Sequence, residues 1–189
     1  MVSAWEFFNA ITMIPPPCIL FAHANGWRGT LACAAIAMQV PFSVGYHLHE
    51  SFKTAGGPVA CRIDNNLRRM DQTMQHLAQI LITLAVTQSV VYTMIVANAH
   101  LLACLQLWDP DTSNDGKRWC CVAVGVCSYT LPMLYSASGV VLFSYAVIPM
   151  VIGCIFAFNP RFKPPWGHGL MHVCAWMHAD AIGRALSEG

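Results

Sequence analysis

The sequence predicts an all-helical integral membrane protein with seven transmembrane helices in one bundle. Three observations predict it. Of the 189 residues, 56% are hydrophobic and only 10% are charged, whereas soluble domains carry roughly 25% charge. The mean hydropathy is positive. Apolar stretches of membrane-spanning length recur along the whole chain, each ended by a polar or proline-containing break. An ordinary cytosolic enzyme and a disordered chain are therefore not expected. A formal net charge of +1 is too small to engage a nucleic-acid backbone. No internal repeat and no second domain is visible, so residues 1–189 read as a single membrane domain.

A spanning helix needs about 20 mostly apolar residues. The first span is predicted over 5–23 and ends at Asn25-Gly26-Trp27-Arg28-Gly29. The second covers 30–50, followed by a polar loop holding Gly56-Gly57-Pro58. Residues 70–108 form one apolar stretch of 39 residues. As a single helix it would measure about 58 Å, nearly twice the ~30 Å hydrocarbon core. It must be two helices, 70–87 and 89–108, turning near Thr87-Gln88-Ser89. The fifth span covers 118–134 and the sixth 138–158, where Asn159-Pro160-Arg161 breaks it. Pro164-Pro165 opens the seventh, over 165–186.

The chain start is not expected to be a cleaved signal peptide. No positive charge precedes the first apolar run, Glu6 stands where Lys or Arg should, and Pro15-Pro16-Pro17 interrupts it. The nine cysteines form no CxxC and read as small buried apolar residues, not as a disulfide framework. The six tryptophans fall mostly near span ends and read as an interfacial belt.

Seven spans put the N-terminus and the loops after spans two, four and six on one side. Eight of the ten Lys and Arg residues lie there, and only Arg28 and Arg184 lie on the other. The bias predicts a cytosolic N-terminus and a C-terminus outside or in the lumen.

An ionisable side chain inside a span is costly, so its position is informative. His47 lies late in span two with Ser43 one turn before it; Asp71 opens span three; His168 and His172 open span seven; Glu6 and Asn9 open span one. By parity all these helix ends share one membrane face. Residues four apart share a helix face, so Ser43 pairs with His47 and His168 with His172. Three imidazoles around an open fourth position make a catalytic zinc site, and zinc acidifies bound water. Asp71 could take that water's proton and Ser43 could donate to a developing oxyanion. The plain alternatives are that the histidines bond neighbouring helices, that Asp71 caps span three, and that Ser43 merely packs. Asp64, in the preceding loop, competes with Asp71. His23, His49, His76, His100 and His178 read as interfacial or packing residues, with His178 the best of them for a supporting role.

The pattern Ser43-Val44-Gly45-Tyr46-His47, Asp71 and His168-Gly169-Leu170-Met171-His172 resembles the CREST superfamily, which groups alkaline ceramidases with progestin and adipoQ receptors. Glu6-Phe7-Phe8-Asn9 followed by Ile14-Pro15-Pro16 resembles the alkaline ceramidase branch in particular. The resemblance implies a zinc-dependent amidase that hydrolyses a ceramide-like lipid to a sphingoid base and a fatty acid. His47, His168 and His172 would hold the zinc, Asp71 would deprotonate the water, and Ser43 would stabilise the oxyanion. Ceramidases also bind calcium through an acidic N-terminal segment. Glu6 is the one carboxylate here before Glu50, which argues against a calcium site and leaves Glu6 as its sole candidate. The loop between His47 and Asp71 and the N-in orientation fit the receptor branch better. The second reading is therefore a lipid-sensing receptor or scaffold of the same fold. Both readings imply a lipid partner, the bilayer, no nucleic acid, and an endoplasmic reticulum, Golgi or plasma membrane.

Overall fold

A computed structural model describes residues 3–52, 66–109, 115–135, 138–158 and 166–188, the side chains of 115–123 excepted. Their regular structure is helical throughout: α1 (Ala4–Thr12), α2 (Pro15–His23), α3 (Gly26–Phe52), α4 (Asn66–Thr87), α5 (Val90–Trp108), α6 (Asp115–Met133), α7 (Gly139–Phe158) and α8 (Gly167–Ser187). Gly26–Phe52, Val90–Trp108 and Gly139–Ala157 are long and apolar enough to cross a membrane. Val90, Val91, Met94 and Ile95 on α5, and Val140, Val141, Ile148 and Val151 on α7, point outward. Apolar faces of that extent belong against acyl chains rather than water. Gly56-Gly57-Pro58, Asp64 and Pro164-Pro165 lie outside the described residues.

The first predicted span is two helices, and proline is the reason. Pro15, Pro16 and Pro17 have no amide hydrogen, so the carbonyls one turn earlier lose their partners. The chain tightens instead: Met13 N–H donates to Ala10 O at 3.3 Å and Ile14 N–H to Ile11 O at 3.1 Å. Proline at the start of α2 is free of strain because that amide would lack a partner anyway. The long apolar stretch turns where its most polar residues stand. Gln88 takes a left-handed φ of 53° and its N–H donates to Leu84 O at 2.9 Å. Ser89 then caps α5, its hydroxyl accepting from Tyr92 N–H at 3.2 Å. Arg28 Nε reaches across to Ala85 O at 2.8 Å and meets an orphan carbonyl in the last turn of α4.

The core joins α2, α3, α4, α6 and α8 through Leu20, Ala32, Ala35, Ala78, Ile82, Ala85, Tyr129, Ala179, Ile182 and Leu186. Half of these are alanine. Without a strong hydrophobic drive between helices in lipid, small residues hold them by close backbone approach. The same device seats α8: a Cβ at Gly153 of α7 would stand 2.8 Å from Met171 Cα. Among the described residues Cys18, Cys33, Cys127, Cys154 and Cys174 are free thiols, and of these five Cys174 alone is buried while Cys18 and Cys127 are exposed. Trp5, Trp27, Trp108 and Trp166 are exposed, whereas Trp176 turns inward and its Nε1 donates to Thr12 O at 2.8 Å.

Candidate metal centre

Helix α3 brings Gln39, Ser43 and His47 to one buried face at steps of four residues. Helix α8 presents His168 and His172 one turn apart. Helix α1 rests on both. Ser3 N–H donates to Ser51 O at 2.8 Å and ties the start of α1 to the end of α3. On the other side, a Cβ at Gly169 would lie 3.0 Å from Asn9 Oδ1, so α1 approaches α8 where α8 has no side chain.

The three histidines converge. Their ligand nitrogens all lie within 4.8 Å of one another. The ring centroids are 5.1 Å apart for His47 and His168, 4.9 Å for His47 and His172, and 4.7 Å for His168 and His172. Nitrogens bound ~2.1 Å from a tetrahedral ion stand about 3.4 Å apart. The separations here, up to 4.8 Å, are at most about 1.4 Å wider than that spacing. His47 and His172 are buried, at 1% and 6% exposure.

Hydrogen bonds fix which nitrogen of each buried ring is protonated. His47 Nδ1 lies 2.8 Å from Glu6 Oε2. An ionised carboxylate only accepts, so Nδ1–H donates. His172 Nδ1 lies 3.2 Å from the Asn9 carbonyl and 3.0 Å from Thr12 Oγ1. The carbonyl also only accepts, and the Thr12 hydroxyl already donates to Asn9 O at 2.7 Å. Nδ1 is again the donor. Both rings keep a lone pair on Nε2, the state a metal ligand needs, with an outer partner holding the tautomer. This donor set fits a zinc ion.

Glu6 therefore belongs to the histidine centre. Its Oε2 accepts from His47 and, at 3.2 Å, from Asn9 Nδ2. Ser43 and Asp71 also meet. The Asp71 carboxylate accepts hydrogen bonds from the Ser43 and Gln39 side chains and interacts electrostatically with His47. Its Oδ1 is buried with no hydrogen-bond partner among the described residues. Ser43 thus stands beside Asp71, so it can steady that carboxyl group as well as take the oxyanion role expected from sequence.

The remaining histidines divide. His178 has no supporting role at the centre: its Nδ1 lies 2.9 Å from Ala146 O and its Nε2 2.8 Å from Tyr129 Oη, which locks α8 to α7 and α6. His23 Nε2 pairs with Asp180 Oδ1 at 2.7 Å. His49 is exposed, 3.6 Å from Glu50. His76 and His100 are not interfacial; they are buried and 2.9 Å apart at Nδ1. Sequence reasoning missed Thr12 and Gln39. A signal existed for both: Glu6, Asn9 and Thr12 recur every three residues in an apolar helix, and Gln39 is one turn before Ser43.

Comparison with known proteins found no matching family model, no similar curated protein and no similar solved structure.

Proposed function

We propose that this chain is a seven-span zinc hydrolase of the alkaline ceramidase type, cleaving the amide of a ceramide-like lipid to a sphingoid base and a fatty acid. The observation that carries it is the convergence of His47, His168 and His172, with a buried Asp71 oxygen nearby that has no partner among the described residues. In this reading α1 and α2 together make the first span and α3 to α8 the other six. The N-terminus and the metal centre then lie at the cytosolic face, where eight of ten basic residues fall.

His47, His168 and His172 hold the ion; Glu6 and Thr12 keep the first and last of them in the ligating tautomer. Zinc bound there supplies a Lewis acid that polarises the amide carbonyl and acidifies water. Asp71 Oδ1 takes the proton from the attacking water, and Asp71 returns it to the nitrogen as the carbon–nitrogen bond breaks. Water's oxygen ends in the fatty acid and its two hydrogens are shared between acid and amine. Ser43 and Gln39 hold the carboxylate in place for both transfers. The apolar helix faces accept the lipid's chains from the bilayer.

The test is turnover of a fluorescent ceramide by wild type, Asp71→Asn and His172→Ala, with zinc content measured alongside. Asp71→Asn should keep its zinc and lose about 10²–10⁴-fold in rate, the usual worth of a proton acceptor. His172→Ala should lose zinc and activity together. Equal turnover in wild type and Asp71→Asn removes the mechanism. No turnover by zinc-loaded wild type on several acyl lengths favours the lipid-sensing reading.

A further inference from the structure

Helix α5 uses one side to pack. Its buried residues, Thr93, His100, Ala103 and Leu107, lie on the side against α4 and α6. The opposite side is open. Val91, Met94, Asn98, Leu101 and Leu105 are all exposed there and recur at alternating steps of three and four residues. That spacing is the seam of a left-handed helix pair, with Val91, Asn98 and Leu105 at the a positions and Met94 and Leu101 at the d positions. Most helix pairs in membranes cross with this hand.

An apolar face turned to lipid needs no partner. The outward face of α7 is of that kind: its exposed Val140, Val141, Ile148, Val151, Ile152 and Ile155 are all aliphatic. Asn98 makes α5 different. It stands about 160° around the helix from the buried His100 at ~100° per residue, so it points away from the bundle. It also lies near the middle of the 19-residue helix, about 12 Å from its start at ~1.5 Å per residue. One hydrogen of its Nδ2 goes back to Met94 O at 2.8 Å. The second hydrogen and the Oδ1 carbonyl have no partner among the described residues. Acyl chains offer no hydrogen bond, so a half-met amide at that depth is costly.

We propose that two copies of this chain pair through α5, with Asn98 meeting Asn98 at the centre of the seam. Copies of a membrane protein insert with one orientation, so the two-fold axis of a dimer runs along the membrane normal. That axis sets the two α5 helices parallel and places each seam residue beside its own copy. A carboxamide is complementary to itself there. Each Asn98 gives its free Nδ2 hydrogen to the Oδ1 of the second copy. Val91, Met94, Leu101 and Leu105 close around the pair as knobs in holes, and a single a-position Asn fixes the register of such a seam. A different membrane helix would need its own polar group at the matching depth, whereas a second copy carries one by symmetry.

Energy transfer between copies fused to donor or acceptor fluorescent proteins tests the pairing, with both reconstituted in phosphatidylcholine vesicles over a range of protein-to-lipid ratios. Wild type should show transfer that rises with protein density and falls when unlabelled wild type is added. Asn98→Leu should need about tenfold more protein per lipid for the same transfer, the worth of two hydrogen bonds between membrane helices. Asn98→Gln keeps the amide and should stay closer to wild type than Asn98→Leu does. Ile152→Ala, on the aliphatic face of α7, should leave the transfer unchanged. Asn98 and Ile152 are both exposed, so these variants remove no core contact, and an unchanged unfolding midpoint in detergent checks that they fold. The measurement needs neither zinc nor turnover, so its failure and that of the hydrolase reading are separate. Transfer no greater than random crowding gives at every ratio would mean that lipid or another protein covers α5, and it overturns the dimer. Equal transfer in wild type and Asn98→Leu would mean that the copies meet elsewhere, and it overturns the α5 seam.

Discussion

Three hydrogen-bond contacts from α1 orient two of the three histidines that could hold a metal ion. Glu6 sets the tautomer of His47, and Thr12 with the Asn9 carbonyl sets that of His172. Outer partners of this kind are worth about 10–100-fold in metal affinity. Glu6→Ala should weaken zinc binding by that amount in a chelator competition. Thr12→Val should weaken it less, because His172 keeps the Asn9 carbonyl. An unchanged zinc affinity in Glu6→Ala would show that the contact orients nothing. Ser43 poses a different question, because its hydrogen bond goes to Asp71. If Ser43 acts by holding that carboxylate, the double variant Ser43→Ala/Asp71→Asn turns over no slower than Asp71→Asn alone, since residues that act as a unit are not additive. If it meets an oxyanion independently, the losses multiply, with roughly 10²–10³-fold from Ser43.

At the scale of the element, α8 matters most, because it carries two of the three histidines and its position is set by packing. Gly153 lets α7 touch it backbone to backbone. Gly153→Val should cost about 1–3 kcal/mol through overpacking, read as a lower unfolding midpoint in detergent. Zinc affinity should fall with it, because His168 and His172 move with α8. Gly45 is the contrast. Nothing lies within 4 Å of a Cβ there, and helical Gly→Ala ordinarily gains about 0.5–1 kcal/mol. Gly45→Ala should raise the midpoint although it stands two residues from His47. A drop in midpoint would mean that α3 needs its flexibility at that turn.

At the scale of the whole molecule, the distribution of basic residues makes a topological prediction. Eight of ten Lys and Arg fall on the N-terminal side of a seven-span arrangement, and such bias orients membrane proteins. A tag on Met1 should resist protease added outside sealed cells and be cut once the membrane is opened. A tag cleaved in sealed cells would invert the orientation, while the helices and the metal centre would keep their relations.

The sequence by itself determined the helical class, the approximate extent of the helices and the turn at Gln88. These follow from local physics: apolar length, proline and glycine punctuation, and the placement of charge. It also pointed to His47, His168 and His172, because spacing of four fixes a shared helix face and parity fixes a shared end. Only the tertiary structure decided what each polar side chain meets. Spacing could not tell that Glu6 lies on His47, that Ser43 and Gln39 meet Asp71, or that His178 locks three helices while His76 and His100 face each other inside the bundle. The reason is geometric. A helical period says which residues share a face, but the rotation and depth of neighbouring helices come from packing small residues such as Gly153 and Gly169 against particular partners, and that rotation selects each hydrogen bond.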